Sequence, residues 1–277
     1  MDEVTNSRGA SKGIIGEYLK KTFGLLGKIA LITGSSEGLG EATAIGMACA
    51  GAKVAVTSID GDGLETVVSK IRAAGSEALS LGLELRNLDQ LPSAVEKIVK
   101  HFGRIDILVN NASFATRGDS LTYPSSDWDR VMEVNMRGAF YMAQAVAPHM
   151  IAQGGGRIIN ISTGHAHTAM GGRAAYASSK AGLEHITRIL SVEWARHQIT
   201  VNVVAPTTML TPTRAHVFPT AESLQARVNE IPMAKAFGRL QVPEDVVPSI
   251  IFVASDAGRF ITGASIVVDG GFSVFKS

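Results

Sequence analysis

The amino-acid sequence predicts an α/β fold in which a doubly wound parallel β-sheet of about seven strands carries helices on both faces. Three observations lead there. Short apolar runs of strand type alternate with longer helical patterns from Ile29 to Val268, the rhythm of βαβ units. The first unit turns on Gly34-Ser-Ser-Glu-Gly38-Leu-Gly40, set between an apolar run and a helix start. A content of 45% hydrophobic residues with 29 glycines in 277 residues suits a buried parallel sheet with many tight turns.

Taken in order, strands are expected at Ile29 to Thr33, Val54 to Ser58, Ala78 to Leu83, Ile105 to Val109, Arg157 to Ile161, Thr200 to Val204 and Ala264 to Val268. Helical patterns cover Glu41 to Ala50, Leu91 to Phe102, Trp128 to Met150 and Ala174 to His197. No linker rich in proline, glycine or charge divides them, so residues 27–277 read as one domain. Residues 1–26 form an N-terminal extension in which Ile14, Ile15, Tyr18, Leu19 and Phe23 have amphipathic spacing. A tail partly docked on the body is expected, since Asp2, Glu3 and Glu17 argue against a transit peptide. Thr207 to Gly238 interrupts the rhythm between strand and helix.

Composition excludes several classes of function. A net charge of +1 gives no reason to expect nucleic acid or a membrane surface as partner. The single cysteine, Cys49, rules out an intrachain disulfide framework and reads as a small core residue. No apolar run approaches the roughly eighteen residues of a membrane span, and no secretory signal pattern is present, so a cytoplasmic enzyme is expected.

The chemistry concentrates in two places. Tyr176 and Lys180, spaced i and i+4 in Arg173-Ala-Ala-Tyr-Ala-Ser-Ser-Lys-Ala-Gly182, project from one face of a helix. An ammonium beside a phenol stabilises the phenolate. Moving a tyrosine from about 10 to neutrality takes roughly 4 kcal/mol, at about 1.4 kcal/mol per unit, within reach of one lysine and a second cation. Such a tyrosine can exchange a proton with a carbonyl or alcohol oxygen. In the glycine-rich turn, backbone N–H groups and a helix dipole point at one place, which suits a pyrophosphate. Its spacing, Gly-x-x-x-Gly-x-Gly, differs from the commoner Gly-x-Gly-x-x-Gly fingerprint.

The turn, Asn110-Asn111-Ala112 after the fourth strand, Asn135, the Tyr176/Lys180 pair and the ending Asp269-Gly-Gly271 follow one another in register. From about Gly27 to Phe272 the chain resembles the short-chain dehydrogenase/reductase family, in its single-domain Rossmann form. The resemblance implies hydride transfer between a nicotinamide and a secondary alcohol or ketone, with Tyr176 as general acid/base and Lys180 lowering its pKa. Asn135 matches the asparagine that holds a helix kink and a relay water. The family serine thirteen residues before the tyrosine falls on Thr163, with Ser162 one position earlier; strand alternation points the two apart. Threonine offers the same donor hydroxyl, so Thr163 is the expected residue and Ser162 the alternative.

The resemblance assigns Gly34, Ser36, Glu37, Gly38, Leu39, Gly40, Ser58, Ile59, Asp60, Glu84, Leu85, Asn111, Ala112, Pro206 and Thr211 to the cofactor, with Tyr176 and Lys180. Residues 207–238 become a candidate substrate lid. At the end of the second strand, Ser58 stands where an acidic residue would bind the ribose 2′-hydroxyl, and Ile59 where an arginine would follow. No cation for a 2′-phosphate is evident, and Glu37 and Asp60 would repel one, so NAD(H) is slightly favoured over NADP(H). Two departures bear on pocket shape: Ser113 replaces a glycine, and Thr207 follows Pro206 where glycine with positive φ is usual.

His165-Ala-His167 lacks further ligands at metal-site spacing, so no metal is expected. Arg173 is a candidate for an anionic substrate or a surface ion pair, and Phe114 and Met170 are candidates for pocket walls. Apolar excess on the helices Trp128 to Met150 and Ala174 to His197 implies a homo-oligomer, of tetramer size by the resemblance. A small-molecule substrate, a sugar or polyol before a 3-oxoacyl compound, is expected. The competing class is a nucleotide-binding sensor or scaffold of the same fold, supported by Thr163, Ser113 and Thr207 and opposed by the intact Tyr176, Lys180 and Asn135.

Overall fold

The structure is a computed structural model that describes residues 15–211 and 217–275. Seven strands, β1 (Ile29–Thr33), β2 (Lys53–Ser58), β3 (Ala78–Gly82), β4 (Ile107–Asn110), β5 (Gly156–Ile161), β6 (Ile199–Pro206) and β7 (Ser265–Val268), form one sheet. Their order is β3-β2-β1-β4-β5-β6-β7 and each neighbouring pair is parallel. Each strand falls within two residues of its expected place at either end.

Alternation along the strands splits the interior into two layers. Ala30, Ile32, Val54, Val56, Ile107, Val109, Ile159 and Ile161 face α2 (Gly38–Cys49), α3 (Gly61–Ala73) and α10 (Pro243–Ala254). Leu31, Ala55, Leu108, Ile158 and Val201 face α4 (Gln90–Phe102), α6 (Ala139–Ala152) and α7 (Ala174–Trp194). A sheet covered on both sides must be apolar at successive positions, which is why its strands read as continuous runs. The chain order reverses beside β1, so the connections leaving β1 and β4 part and open a crevice at their carboxyl ends.

Two expectations about elements are corrected. Trp128 to Met150 is not a uniform helix: the rod starts at α5 (Ser125–Met132), passes through a π-helical turn at Glu133–Gly138 and continues as α6. Asn135, 1% exposed, lies inside that turn. Cys49 is exposed on the last turn of α2, whereas Met47 and Ala48 take the core positions.

In the N-terminal extension, residues 15–23 form α1. Phe23 stacks on Phe252 of α10 at 6.3 Å and Leu25 is fully buried, while Ile15, Tyr18 and Leu19 are exposed. Ile14 lies outside the described residues. Beyond β6, Met209 bridges Gln241, and α8 (Ala221–Asn229) and α9 (Pro232–Phe237) gather a separate small core of Val228, Ile231, Ala234 and Leu240. That segment, within the candidate lid, packs on itself more than on the sheet. Residues 212–216 of it lie outside the described residues. Among the described residues no helix is long and apolar enough to cross a membrane.

Candidate active site

A cleft of about 730 Å³ crosses the carboxyl ends of the strands, within the usual size of small-ligand and cofactor sites. Every residue expected at the cofactor lines it, as do Thr163, Tyr176 and Lys180; Asn135 alone of the expected set stands behind its wall. The fold brings these residues together from β2, β6, α2 and α7 and from the chain leaving β1, β2, β3, β4, β5 and β6.

The cleft floor is the glycine turn. Gly34 takes φ 61°, a conformation side chains resist. A Cβ on Gly40 would stand 2.1 Å from the Gly34 carbonyl oxygen and 2.5 Å from Asn111 Nδ2, so only hydrogen fits. Asn111 Nδ2 donates to Thr33 O at 3.0 Å and to Gly34 O at 2.7 Å, bolting the turn to the strand beside it. The Glu37 side chain does not cap α2, which leaves the first-turn N–H groups for an anion. The turn fits a dinucleotide pyrophosphate.

At one end of the cleft, the Ser36 and Ser58 hydroxyls share a hydrogen bond of 3.0 Å, and Ser58 Oγ accepts from Asp60 N at 3.2 Å. Asp60 caps α3, its carboxylate accepting from Gly63 N at 3.1 Å. One expectation changes here. Arg86 also lines the cleft, so a cation is present, although its guanidinium is paired to Glu84 at 2.9 Å. That hydrogen bond holds the Glu84 carboxyl below its ordinary value. The two residues are close in sequence, and a reading confined to the end of the second strand passes Arg86 over.

At the other end, Lys180 is 1% exposed and its ammonium donates to Ile161 O at 2.7 Å. Burial pushes its pKa down to about 8. Tyr176 lies one turn earlier on α7, with the Arg173 guanidinium 5.9 Å from its ring centroid. Thr163 Oγ accepts from His165 N at 3.3 Å, which leaves its own O–H to point elsewhere. Ser162 Oγ instead donates to Glu184 Oε1 at 2.6 Å. The two neighbouring hydroxyls are therefore engaged differently, Ser162 toward α7 and Thr163 in the turn at its own helical cap.

Asn135 holds the wall. Its Oδ1 accepts from Phe114 N at 2.8 Å and Ser113 Oγ at 3.2 Å; its Nδ2 donates to Phe114 O at 2.9 Å and Ser179 Oγ at 3.0 Å. Two lone pairs and two N–H groups are all an amide offers, so these four bonds saturate it. Ser179 Oγ in turn donates to Tyr176 O at 2.8 Å. The π turn, the loop after β4 and the helix bearing Tyr176 are tied through one side chain. Ser113 is thereby explained as an additional donor to Asn135. Thr207 needs no positive φ: among the described non-glycine residues only Gln198 has one, at 59°, and Thr207 N donates to Gln241 Oε1 at 3.2 Å.

The two histidines diverge. His165 meets the Phe272 ring edge-on at 5.0 Å, whereas His167 Nε2 lies 3.2 Å from Glu184 Oε1. Among the described residues no group of three or more His, Cys, Asp or Glu is placed to hold a metal. Phe114 forms cleft wall, with the Arg130 guanidinium 3.9 Å over its ring; Met170 is 37% exposed and is not among the cleft residues. Arg130 and Glu184 escaped the sequence reading because neither belongs to a local motif; each is recruited across the fold.

Burial of Lys180 carries a stability consequence. With its folded value near 8 and its ordinary value 10.5, the native state binds fewer protons than the unfolded chain between those two pH values. The cost of burying the charge is full below pH 8 and fades as pH rises toward 10.5, by roughly 3 kcal/mol at about 1.4 kcal/mol per unit. Lys180→Met removes the titration. Urea unfolding from pH 7 to 10.5 should show wild type gaining a few kcal/mol relative to the variant; parallel curves would refute the shifted lysine.

A doubly wound sheet with an anion-binding turn at its switch point, and a tyrosine–lysine pair at the far end of the same cleft, defines a nicotinamide-dependent oxidoreductase architecture. A family model described as enoyl-(acyl carrier protein) reductase matches residues 34–273. The chain is 39% identical to the 2-dehydro-3-deoxy-D-gluconate 5-dehydrogenase of Escherichia coli (strain K12), covering 90% of this chain and 97% of that one. It is 33% identical to an NAD-dependent glycerol dehydrogenase of Listeria innocua, over 92% and 97%. Among solved structures, a gluconate 5-dehydrogenase from Burkholderia cenocepacia J2315 in complex with NADP and tartrate superposes with a TM-score of 0.87 at 33% identity, covering 93% and 99%. The protein belongs to the short-chain dehydrogenase/reductase family.

Proposed function

We propose that the protein oxidises a secondary alcohol, or reduces the corresponding ketone, on a sugar- or polyol-type substrate with NAD(H). The observation that carries this is the convergence of Thr163, Tyr176 and Lys180 at one end of the cleft that the glycine turn opens at the other. The nicotinamide, when bound, supplies or accepts the hydride. The chain does the rest. In the oxidative direction the Tyr176 phenolate oxygen takes the hydroxyl proton; in reduction the phenol returns it. Thr163, whose oxygen accepts from the His165 N–H, donates to the substrate oxygen and fixes the reacting carbon. Lys180, mostly charged at neutral pH, favours the phenolate. Residues 27–277 act as one catalytic domain, with 207–238 as the segment over the substrate and Thr211 on the nicotinamide side.

The sugar or polyol preference is supported by the relatives that act on gluconates and glycerol. NAD(H) is supported by the carboxylates of Glu37 and Asp60 on the cleft and by the pairing of Arg86 to Glu84. NADH and NADPH are to be compared by fluorescence titration at matched ionic strength, followed by turnover of sugar acids, polyols and a 3-oxoacyl thioester. Tighter NADH binding and turnover of polyhydroxylated substrates are expected. Tighter NADPH binding would mean that Arg86 releases Glu84 for a 2′-phosphate, and preference for the thioester would overturn the substrate class.

We also assign a homo-oligomer, of tetramer size. Trp128, Tyr141, Ile151, Ile189 and Val192 are exposed on α5, α6 and α7, an apolar surface of the kind that self-association buries. Sedimentation equilibrium should give a multiple of the 29.1 kDa chain mass; a monomer at micromolar concentration would refute it. The single cysteine needs no oxidising compartment, which supports a cytoplasmic location.

A further inference from the structure

Glu184 is a buried carboxylate with no part in the proton transfer. It is 4% exposed and lies on α7, one turn beyond Lys180. A carboxylate removed from water must find donors; two serines supply them and a histidine stands within ion-pair distance. Ser162 donates to Oε1 at 2.6 Å, the His167 imidazole Nε2 stands 3.2 Å from the same oxygen, and Ser265 of β7 donates to Oε2 at 3.3 Å.

Two of these three partners flank Thr163. Ser162 precedes it, and His167 closes the short turn Gly164–Ala166 that follows it. One residue further back, Ile161 O accepts from Lys180. Successive turns of α7 thus grip successive residues of the chain leaving β5, and the next residue is the one whose hydroxyl serves the cleft. Neighbouring side chains on an extended segment point to opposite sides, so fixing Ser162 against α7 also fixes the direction of Thr163.

We infer that Glu184 is a positioning residue: by holding Ser162 and His167 it keeps the Thr163 hydroxyl at the Tyr176 end of the cleft. The inference rests on the dehydrogenase reading proposed above. It gives the His-x-His segment a role without a metal, and gives Ser162 a purpose other than that of the reacting hydroxyl.

Ser162→Ala, Glu184→Leu and the double variant are to be compared with wild type by steady-state kinetics, NADH titration and thermal melts. Misplacement of an orienting group costs rate rather than cofactor affinity, so each single variant should lose kcat about 10-fold or more with NADH affinity kept within about 2-fold. The double variant should lose no more than the worse single one, because both break the same contact. Glu184→Gln, which still offers an oxygen to Ser162, should recover most of the rate lost in Glu184→Leu. Lowered melting temperature with unchanged kcat, or losses that multiply, would overturn the inference. If Glu184→Leu fails to fold, Ser162→Ala decides: full kcat refutes. An inactive wild type would defeat the dehydrogenase reading and this inference with it, whereas an active wild type beside a fully active Ser162→Ala defeats this inference alone.

Discussion

Tyr176→Phe is expected to lower kcat about 10³-fold while leaving NADH affinity unchanged, the scale on which a positioned general acid/base acts. The substitution deletes one oxygen and little else. The ring remains on α7 with the Arg173 guanidinium near its face, and Lys180 keeps its bond to Ile161 O. What is lost is the atom that carries the proton. In the proposed mechanism the Thr163 hydroxyl still orients the substrate oxygen, but a neutral alcohol is too weak a base to take its proton. Single-turnover reduction of bound cofactor separates chemistry from release. Activity within about 10-fold of wild type would remove Tyr176 from the proton-transfer step.

Gly40→Ala should weaken NADH binding by about 100-fold or more, close to 3 kcal/mol. The added methyl would overlap the Gly34 carbonyl at 2.1 Å and approach Asn111 Nδ2 at 2.5 Å. Neither atom can retreat cheaply. The Gly34 oxygen belongs to backbone already held by Asn111, and Asn111 also secures Thr33 O. The turn must therefore shift away from β4, and its N–H groups lose their common focus on the pyrophosphate. Circular dichroism of the variant should remain that of a folded α/β protein, because the two core layers lie beneath the turn. NADH affinity equal to wild type would show that the cradle tolerates a side chain and would displace the pyrophosphate from it.

The sheet and most of the cleft were readable in the sequence for a physical reason. A parallel sheet covered on both faces forces continuous apolar runs, and each turn that lets backbone approach a ligand demands glycine at fixed positions. Gly34, Gly38 and Gly40 therefore announce themselves, and the helical spacing of Tyr176 and Lys180 gains its meaning from the motifs that stand in register with it. The corrections share a different cause. The π turn at Glu133–Gly138 holds Asn135, whose hydrogen bonds to Phe114 and Ser179 reach partners far along the chain. Arg86 joins the cleft through the path of the chain after β3, and Cys49 is exposed because α2 happens to end with that face outward.

The choice between Ser162 and Thr163 shows where local reasoning stops. Alternation says that the two hydroxyls diverge, and that much is intrinsic to an extended chain. Which one is drawn to the helix depends on a carboxylate more than twenty positions later, Glu184, arriving beside Ser162 when α7 packs on the sheet. Periodicity and turn chemistry act between neighbours in sequence, so the chain itself prescribed the layered sheet, the glycine cradle and the Tyr176/Lys180 pair. The saturated Asn135 amide, the place of Arg86 in the cleft and the grip of Glu184 on the Thr163 loop arise from the path and packing of the folded chain, and only the packed molecule decides them.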